Sequence, residues 1–339
     1  MTSPKINFSA AALVLAAIVS VHAEDAYHFI KEIPVGGAGG WDYLTVDPAA
    51  HRLYVSHATQ VMVIDLTTDT VIGQVTNTPG VHGIALDSKL GRGFISSGKG
   101  NHVNIFDPAT LQTTATVATG ANPDAILFEP GQGEVYAFNG RGKSATVIAA
   151  DTGAVVATIP LGGKPEFAQA DPALGRVFDN LEDTSELVAI DTKTHTVANR
   201  WPIAPGESAS GLAIDTEHHR LFLGCDNHLM AMVDGTSGKV LATVPIGEGV
   251  DANAFDPGTQ LAFASCGDGT TTIARENGDT LTVVQTLATQ PGARTMALDP
   301  TTHNIYLATA KMEPPVEGER RPKAVPGTFK ILVYGTTQK

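Results

Sequence analysis

The sequence predicts an all-β fold, a seven-bladed β-propeller of four-stranded antiparallel blades with its ring closed by an N-terminal strand joining the C-terminal blade. Three observations carry this expectation. One phrase recurs seven times in 339 residues: WDYLTVDP (41–48), VHGIALDS (81–88), PDAILFEP (123–130), PEFAQADP (165–172), SGLAIDT (210–216), VDANAFDP (250–257) and ARTMALDP (293–300). Its acidic residue advances in steps of 40, 42, 42, 44, 41 and 43 residues, the period of a propeller blade. Between the phrases, short β-branched runs alternate with Gly, Pro, Asp and Asn turns, and no helical periodicity appears beyond the N-terminus.

The chain begins with a segment outside that fold. Lys5 supplies a small positive region, Ala10 to Val21 an apolar run, and Val21-His22-Ala23 a small-x-small cleavage site. Residues 1–23 therefore read as a signal peptide and 24–339 as a single domain, periplasmic or secreted. The apolar run is too short for a comfortable membrane span, and nothing later reaches that length. Removing the leader deletes Lys5 and no acid, which moves the formal charge from −13 to −14. Such a balance disfavours nucleic acid as a partner, since phosphate binding needs a basic surface. A monomer is expected.

Each repeat then reads as four strands. The first follows the variable start of the phrase and ends in an Asp-Pro-type turn. The second carries one aromatic, in order Tyr54, Phe94, Tyr136, Phe178, Phe222, Phe263 and Tyr306, which reads as core between blades. The third ends near an acidic turn, as in VMVIDLTTDT (61–70) and LVAIDTKT (187–194), and the fourth is β-branched, as in TVIGQV (70–75). The seventh unit has an insertion, 311–327, then FKILVYGTT (329–337) as third strand, and no fourth. YHFIKEIPVGG (27–37) has the fourth-strand pattern and leads into Trp41, so it is expected to complete that blade and remove its free edge.

The segments LYVSH (53–57) and VIDLTTDTVIGQV (63–75), with their copies, resemble the YVTN/YncE-like family of seven-bladed propellers over essentially the whole mature chain. Tyr54-Val55-Ser56-His57 is the nearest copy of the family's tetrapeptide, and later units drift to FISS, YAFN, FLGC and IYLA. The resemblance implies the fold. For activity it implies only a range, because this group and its lactonase-like relatives include enzymes, binding proteins and proteins without an assigned role.

The position five residues before the acidic turn varies: Asp42, His82, Asp124, Glu166, Ser210, Asp251 and Arg294. Propeller topology places this column around one rim of the central channel, beside the second-strand ends (including His57, Asn139, Cys225 and Cys266) and the 311–327 insertion, a candidate lid. Ionisable groups converging there are costly unless paired, hydrated or bound to an ion. One expectation is Ca²⁺ or Mg²⁺ held by the carboxylates of Asp42, Asp124, Glu166 and Asp251, and another is Zn²⁺ or Cu²⁺ held by His57, His82 and an Asp. Such an ion would polarise a lactone or ester carbonyl, with His82, Asp42 and Asp124 catalytic and His82 as general base. Arg294, Trp41, Glu166, Asp251, Ser210 and Asn139 are the substrate-binding candidates, and Arg294 is also placed to pair with Asp42. No nucleotide or organic cofactor is indicated. Cys225, His228 and Cys266 form a weaker candidate metal set, with free thiols or a disulfide as alternatives. The functional expectation is thus an exported propeller binding a small polar ligand, a metal-assisted lactonase-like hydrolase or lyase. The rivals are a hydrated channel that only locks blades together, or a non-catalytic scaffold for a protein, a glycan or a metal.

Overall fold

The acidic residue closing each repeated phrase makes the first turn of its blade. Asp87 Oδ1 accepts the N–H groups of Lys89 and Leu90 at 3.0 and 3.2 Å, and Asp171 Oδ1 those of Ala173 and Leu174 at 3.1 Å. Glu129 does the same for Gly131 and Gln132 with its two oxygens. The aspartates ending the third strands repeat the device, as where Asp65 Oδ1 accepts from Thr67 and Thr68. A carboxylate that satisfies two turn N–H groups fixes the hairpin at little entropic cost.

In the computed structural model, which describes residues 26–314 and 323–336, these hairpins build seven four-stranded antiparallel sheets. Blade 1 runs outward from Trp41–Asp47 through Arg52–His57 and Gln60–Asp65 to Thr70–Val75. Blades 2 to 6 repeat that order from inner strands Val81–Asp87, Pro123–Glu129, Pro165–Asp171, Ala209–Asp215 and Val250–Asp256. Blade 7 comprises Thr295–Asp299, Asn304–Thr309 and Lys330–Gly335, and its outer strand is His28–Pro34, antiparallel to Lys330–Gly335 with Ile33 opposite Ile331. Among the described residues, helix is confined to the short 3₁₀ turns Gly98–Gly100 and Glu182–Thr184, and no helix is long and apolar enough to cross a membrane. The expected leader, 1–23, lies outside the described residues.

The core lies between blades. The second-strand aromatics are all buried, from Tyr54 in blade 1 to Tyr306 in blade 7. Tyr54 packs with Ile84, Ile95 and Phe106 of blade 2, and Phe222 of blade 5 stacks on Phe255 of blade 6 at 4.9 Å. The face opposite the variable column is clipped electrostatically. His219 Nδ1 of blade 5 lies 2.6 Å from fully buried Asp171 of blade 4, and His303 Nδ1 of blade 7 lies 2.7 Å from buried Asp256 of blade 6. These turn histidines tie one blade to the next.

Removing one inter-blade aromatic leaves a cavity that neighbouring sheets cannot close. Phe222→Ala should lower stability by ~3–5 kcal/mol in urea unfolding. A loss under about 1 kcal/mol would mean the blades relax into the gap.

Candidate functional site

The variable column sits in a bulge. In blade 1, Trp41 faces His57 but Leu44 faces Val55, so Asp42 and Tyr43 together oppose Ser56. The same extra residue recurs at the column position in blades 2 to 6, whereas Arg294 lies just ahead of its strand. A bulge bends the strand and re-aims side chains, which directs the column toward the channel mouth. Second-strand hydroxyls and amides hold it there. Asp42 N–H donates to Ser56 Oγ at 3.0 Å, Ser96 Oγ donates to the Asp124 carbonyl of the next blade, and Asn180 Nδ2 donates to Gly211 O at 3.0 Å.

The mouth is a polar cavity of about 130 Å³ whose lining includes Asp42, Tyr43, Asp124, Glu166, Asp251 and Arg294, together with Ser210. Its charges are grouped. His82 Nδ1 donates to Asp42 Oδ2 at 2.6 Å and lies 3.3 Å from Asp124 Oδ1, so one imidazole bridges carboxylates of both neighbouring blades. Asp42, His82 and Asp124 each offer a donor atom within 4.8 Å of the others, a geometry able to hold a metal ion. Arg294 Nη1 lies 3.0 Å from Asp251 Oδ2, and Lys164 Nζ lies 2.9 Å from Glu166 Oε2 while also meeting Glu182.

Several expected members stand elsewhere. Arg294 pairs with Asp251 rather than Asp42, whose carboxylate is already engaged by His82. Glu166 and Asp251 each have their own cation and lie outside the three-donor group. His57 is buried and stacked on Phe329 at 4.3 Å, and burial holds its pKa below the ordinary histidine value despite a hydrogen bond from its ring to the Gly39 backbone. It is not brought to His82. Trp41 also stacks on Phe329, at 5.2 Å, which makes it packing for blade 7. Buried Asn139 donates to Ser144 and Thr146 within its own blade and does not face the cavity. Cys225 and Cys266 are free and buried, and burial pushes both thiols up to about 12, far from the thiolate a metal requires. His228 is exposed in a left-handed turn, and no metal-capable group among the described residues contains it or either cysteine. At the insertion's base, Glu313 N–H donates to Lys323 O and Val325 N–H to Lys311 O, and Gly327 N–H donates to Gly37 O. Residues 315–322, with Arg320 and Arg321, lie outside the described residues.

Four residues at or behind the mouth escaped the sequence reading. Tyr43 crosses from blade 1 to blade 4, where its hydroxyl donates to the Glu166 carbonyl at 2.8 Å and its ring meets Phe167 at 5.0 Å. The signal was available: the position after the column reads Tyr43, Gly83, Ala125, Phe167, Gly211, Ala252 and Thr295, two aromatics among small residues. Gly98 gives His82 its room, since a Cβ there would lie 2.7 Å from Nε2. Lys164 balances Glu166. Fully buried Asp179 has neither carboxylate oxygen hydrogen-bonded, and its pKa is raised by burial and then by Glu166. It stands in a repeat column otherwise made of Val55, Ile95, Ala137, Leu223, Ala264 and Leu307.

Fold and site together define a seven-bladed β-propeller with a charged, partly plugged channel mouth. No family model matches the chain, and no curated protein matches it in sequence. It is similar to a solved structure described as "Structure of U3-55K", at a TM-score of 0.75 and 10% identity, over 90% of this chain and 98% of that one. At that identity the likeness establishes the fold alone.

The bridge has a pH signature. Burial disfavours charged His82, but the Asp42 hydrogen bond and the charges of Asp124, Asp42 and Glu166 outweigh it and raise the pKa from 6.5 to about 9. Burial first, then Asp42 and Glu166, raises Asp124 well above the carboxylate range against the pull of His82. Both groups hold protons more tightly folded than unfolded. Their contribution is thus lost as pH rises, and the His82 part is complete below pH 6.5 and disappears through about 9. Unfolding free energy should fall by ~1–3 kcal/mol across that window, and His82→Gln should remove most of the slope. An unchanged slope in the variant would place the titration elsewhere.

Proposed function

We propose that the channel mouth binds a small polar ligand through a divalent cation held by Asp42, His82 and Asp124, and that the chemistry is hydrolysis of a lactone or ester. The observation that carries this reading is the convergence of two carboxylates and an imidazole, from three successive blades, at a polar cavity. One nitrogen and two oxygen donors suit Zn²⁺ or a similar ion, while Ca²⁺ and Mg²⁺ would draw mainly on the carboxylates. A bound cation polarises a carbonyl and lowers the pKa of water. The protein's part is to position. The bulges aim the donors, Tyr43 and Phe167 offer an aromatic wall, and the Arg294–Asp251 pair presents a guanidinium to an anionic portion of a ligand. In the ion-free site His82 is charged at neutral pH, so its service as a base requires that its proton be displaced first.

The resemblance to YVTN/YncE-like propellers, whose lactonase-like relatives include enzymes, is compatible with this class, and the leader pattern at 1–23 supports a periplasmic or secreted location. A second reading, a scaffold for another macromolecule, draws on a different observation. Phe29, Ile30, Val71 and Ile72 are exposed on the outer strands of adjacent blades 7 and 1, which Lys31 and Asp69 join at 2.6 Å.

Elemental analysis of protein purified without a metal-affinity tag should find a divalent ion that Asp124→Asn loses. In a lactone and ester panel, His82→Ala and Asp42→Ala should each lower turnover by ~100-fold or more, with melting temperature within a few degrees. Hydrolysis surviving both substitutions would remove the mouth from the chemistry. Gly98→Ala, which must displace the His82 ring, should weaken cation binding in titration calorimetry, and full retention would mean His82 is not a ligand.

A further inference from the structure

On the face opposite the mouth, a second group of donors converges where blades 5 and 6 meet. Asp215 ends the inner strand of blade 5, His218 stands in the turn that follows, and Glu276 comes from the third strand of blade 6, Thr270–Asn277. One donor atom from each lies within 4.8 Å of the others. His218 Nδ1 is 2.6 Å from Asp215 Oδ2, while Asp215 Oδ1 is occupied by the Glu217 N–H at 2.9 Å.

Two further observations separate this group from an ordinary surface cluster. Glu276 is 5% exposed, and its Oε2 is buried without a hydrogen-bond partner, a costly state for a carboxylate. The nearby Arg220 donates no hydrogen bond to that oxygen. Arg220 is committed to Asp234 at 2.9 Å and Asp279 at 2.8 Å. The repeat supplies the second observation. Third strands of blades 1, 2, 4 and 5 end in Asp65, Asp107, Asp191 and Asp234. Blade 6 has Arg275 at that position and continues, and the continuation delivers Glu276. In the neighbouring clips, His219 and His303 each meet one buried aspartate. Here the histidine meets an aspartate with a second acid beside it.

We propose that Asp215, His218 and Glu276 form a divalent transition-metal site of the zinc class that clamps blade 5 to blade 6. One imidazole nitrogen and two carboxylate oxygens are three of the four ligands such an ion takes. Half-exposed His218 leaves the site an open side for a water ligand and for entry of the ion. Its role is structural, since an ion bound only by the folded, adjacent blades adds its binding energy to their association. The proposal does not depend on the channel mouth.

The test is Zn²⁺ titration of chelator-stripped protein carrying Asp124→Asn, which disables the mouth. That variant should still bind one equivalent of Zn²⁺ and melt several degrees higher with it. Adding His218→Ala or Glu276→Gln should abolish both the equivalent and the thermal shift. His218 is half-exposed, so its truncation leaves the fold intact, and circular dichroism checks the Glu276 variant. Absence of zinc binding in Asp124→Asn would overturn the site, as would an equivalent that persists in both double variants. Failure of the mouth reading would show separately, as equal zinc stoichiometry in wild type and Asp124→Asn.

Discussion

One surplus residue per inner strand shapes everything at the channel mouth. Six of the seven inner strands carry a residue more than their partner accommodates, always at the variable column. Without that bulge each column side chain would lie on one face of its own sheet, against a neighbouring blade. With it, Asp42, His82 and Asp124 arrive together. Serine and asparagine side chains on the second strands then fix the bulged backbone, and Ser96 and Asn180 in so doing tie blade 2 to blade 3 and blade 4 to blade 5.

Crowding charges in this way has consequences that pairwise contacts do not reveal. The mouth resolves into separate neutralised groups: Lys164 with Glu166, Arg294 with Asp251, and His82 between Asp42 and Asp124. In the first two, permanent cations satisfy the acids. In the third the positive charge is a proton on His82, which the proposed cation would replace. Exchangeable charge makes that group the chemically versatile part of the ring. Tyr43 reinforces the division, because its reach across to blade 4 narrows the channel to a small cavity rather than an open bore.

The repeat period, the second-strand aromatics and the acidic turns were legible in the sequence because each is a local rule applied in every blade. The column was legible as a column. Its pairings were not, since the choice of Asp251 over Asp42 as partner for Arg294 depends on which carboxylate His82 has already taken. Trp41, His57 and Asn139 look functional at a rim, yet their positions are decided by packing. Phe329, brought in by the last strand hairpin, covers the first two, and Ser144 and Thr146 satisfy the third. The cysteines lose their chemistry to burial. Gly98 acts on His82 of a different strand, and such a contact carries no local pattern, whereas Lys164 stands beside Glu166 in sequence but outside the repeated column.

The central claim is that the His82 bridge is a cation site whose proton a metal displaces. Crystals of the protein soaked in Mn²⁺, with an anomalous difference map, test it most directly. The account predicts a peak coordinated by Asp42, His82 and Asp124, with the Arg294–Asp251 pair undisturbed. A map with no peak at the mouth and His82 still bonded to Asp42 would contradict it.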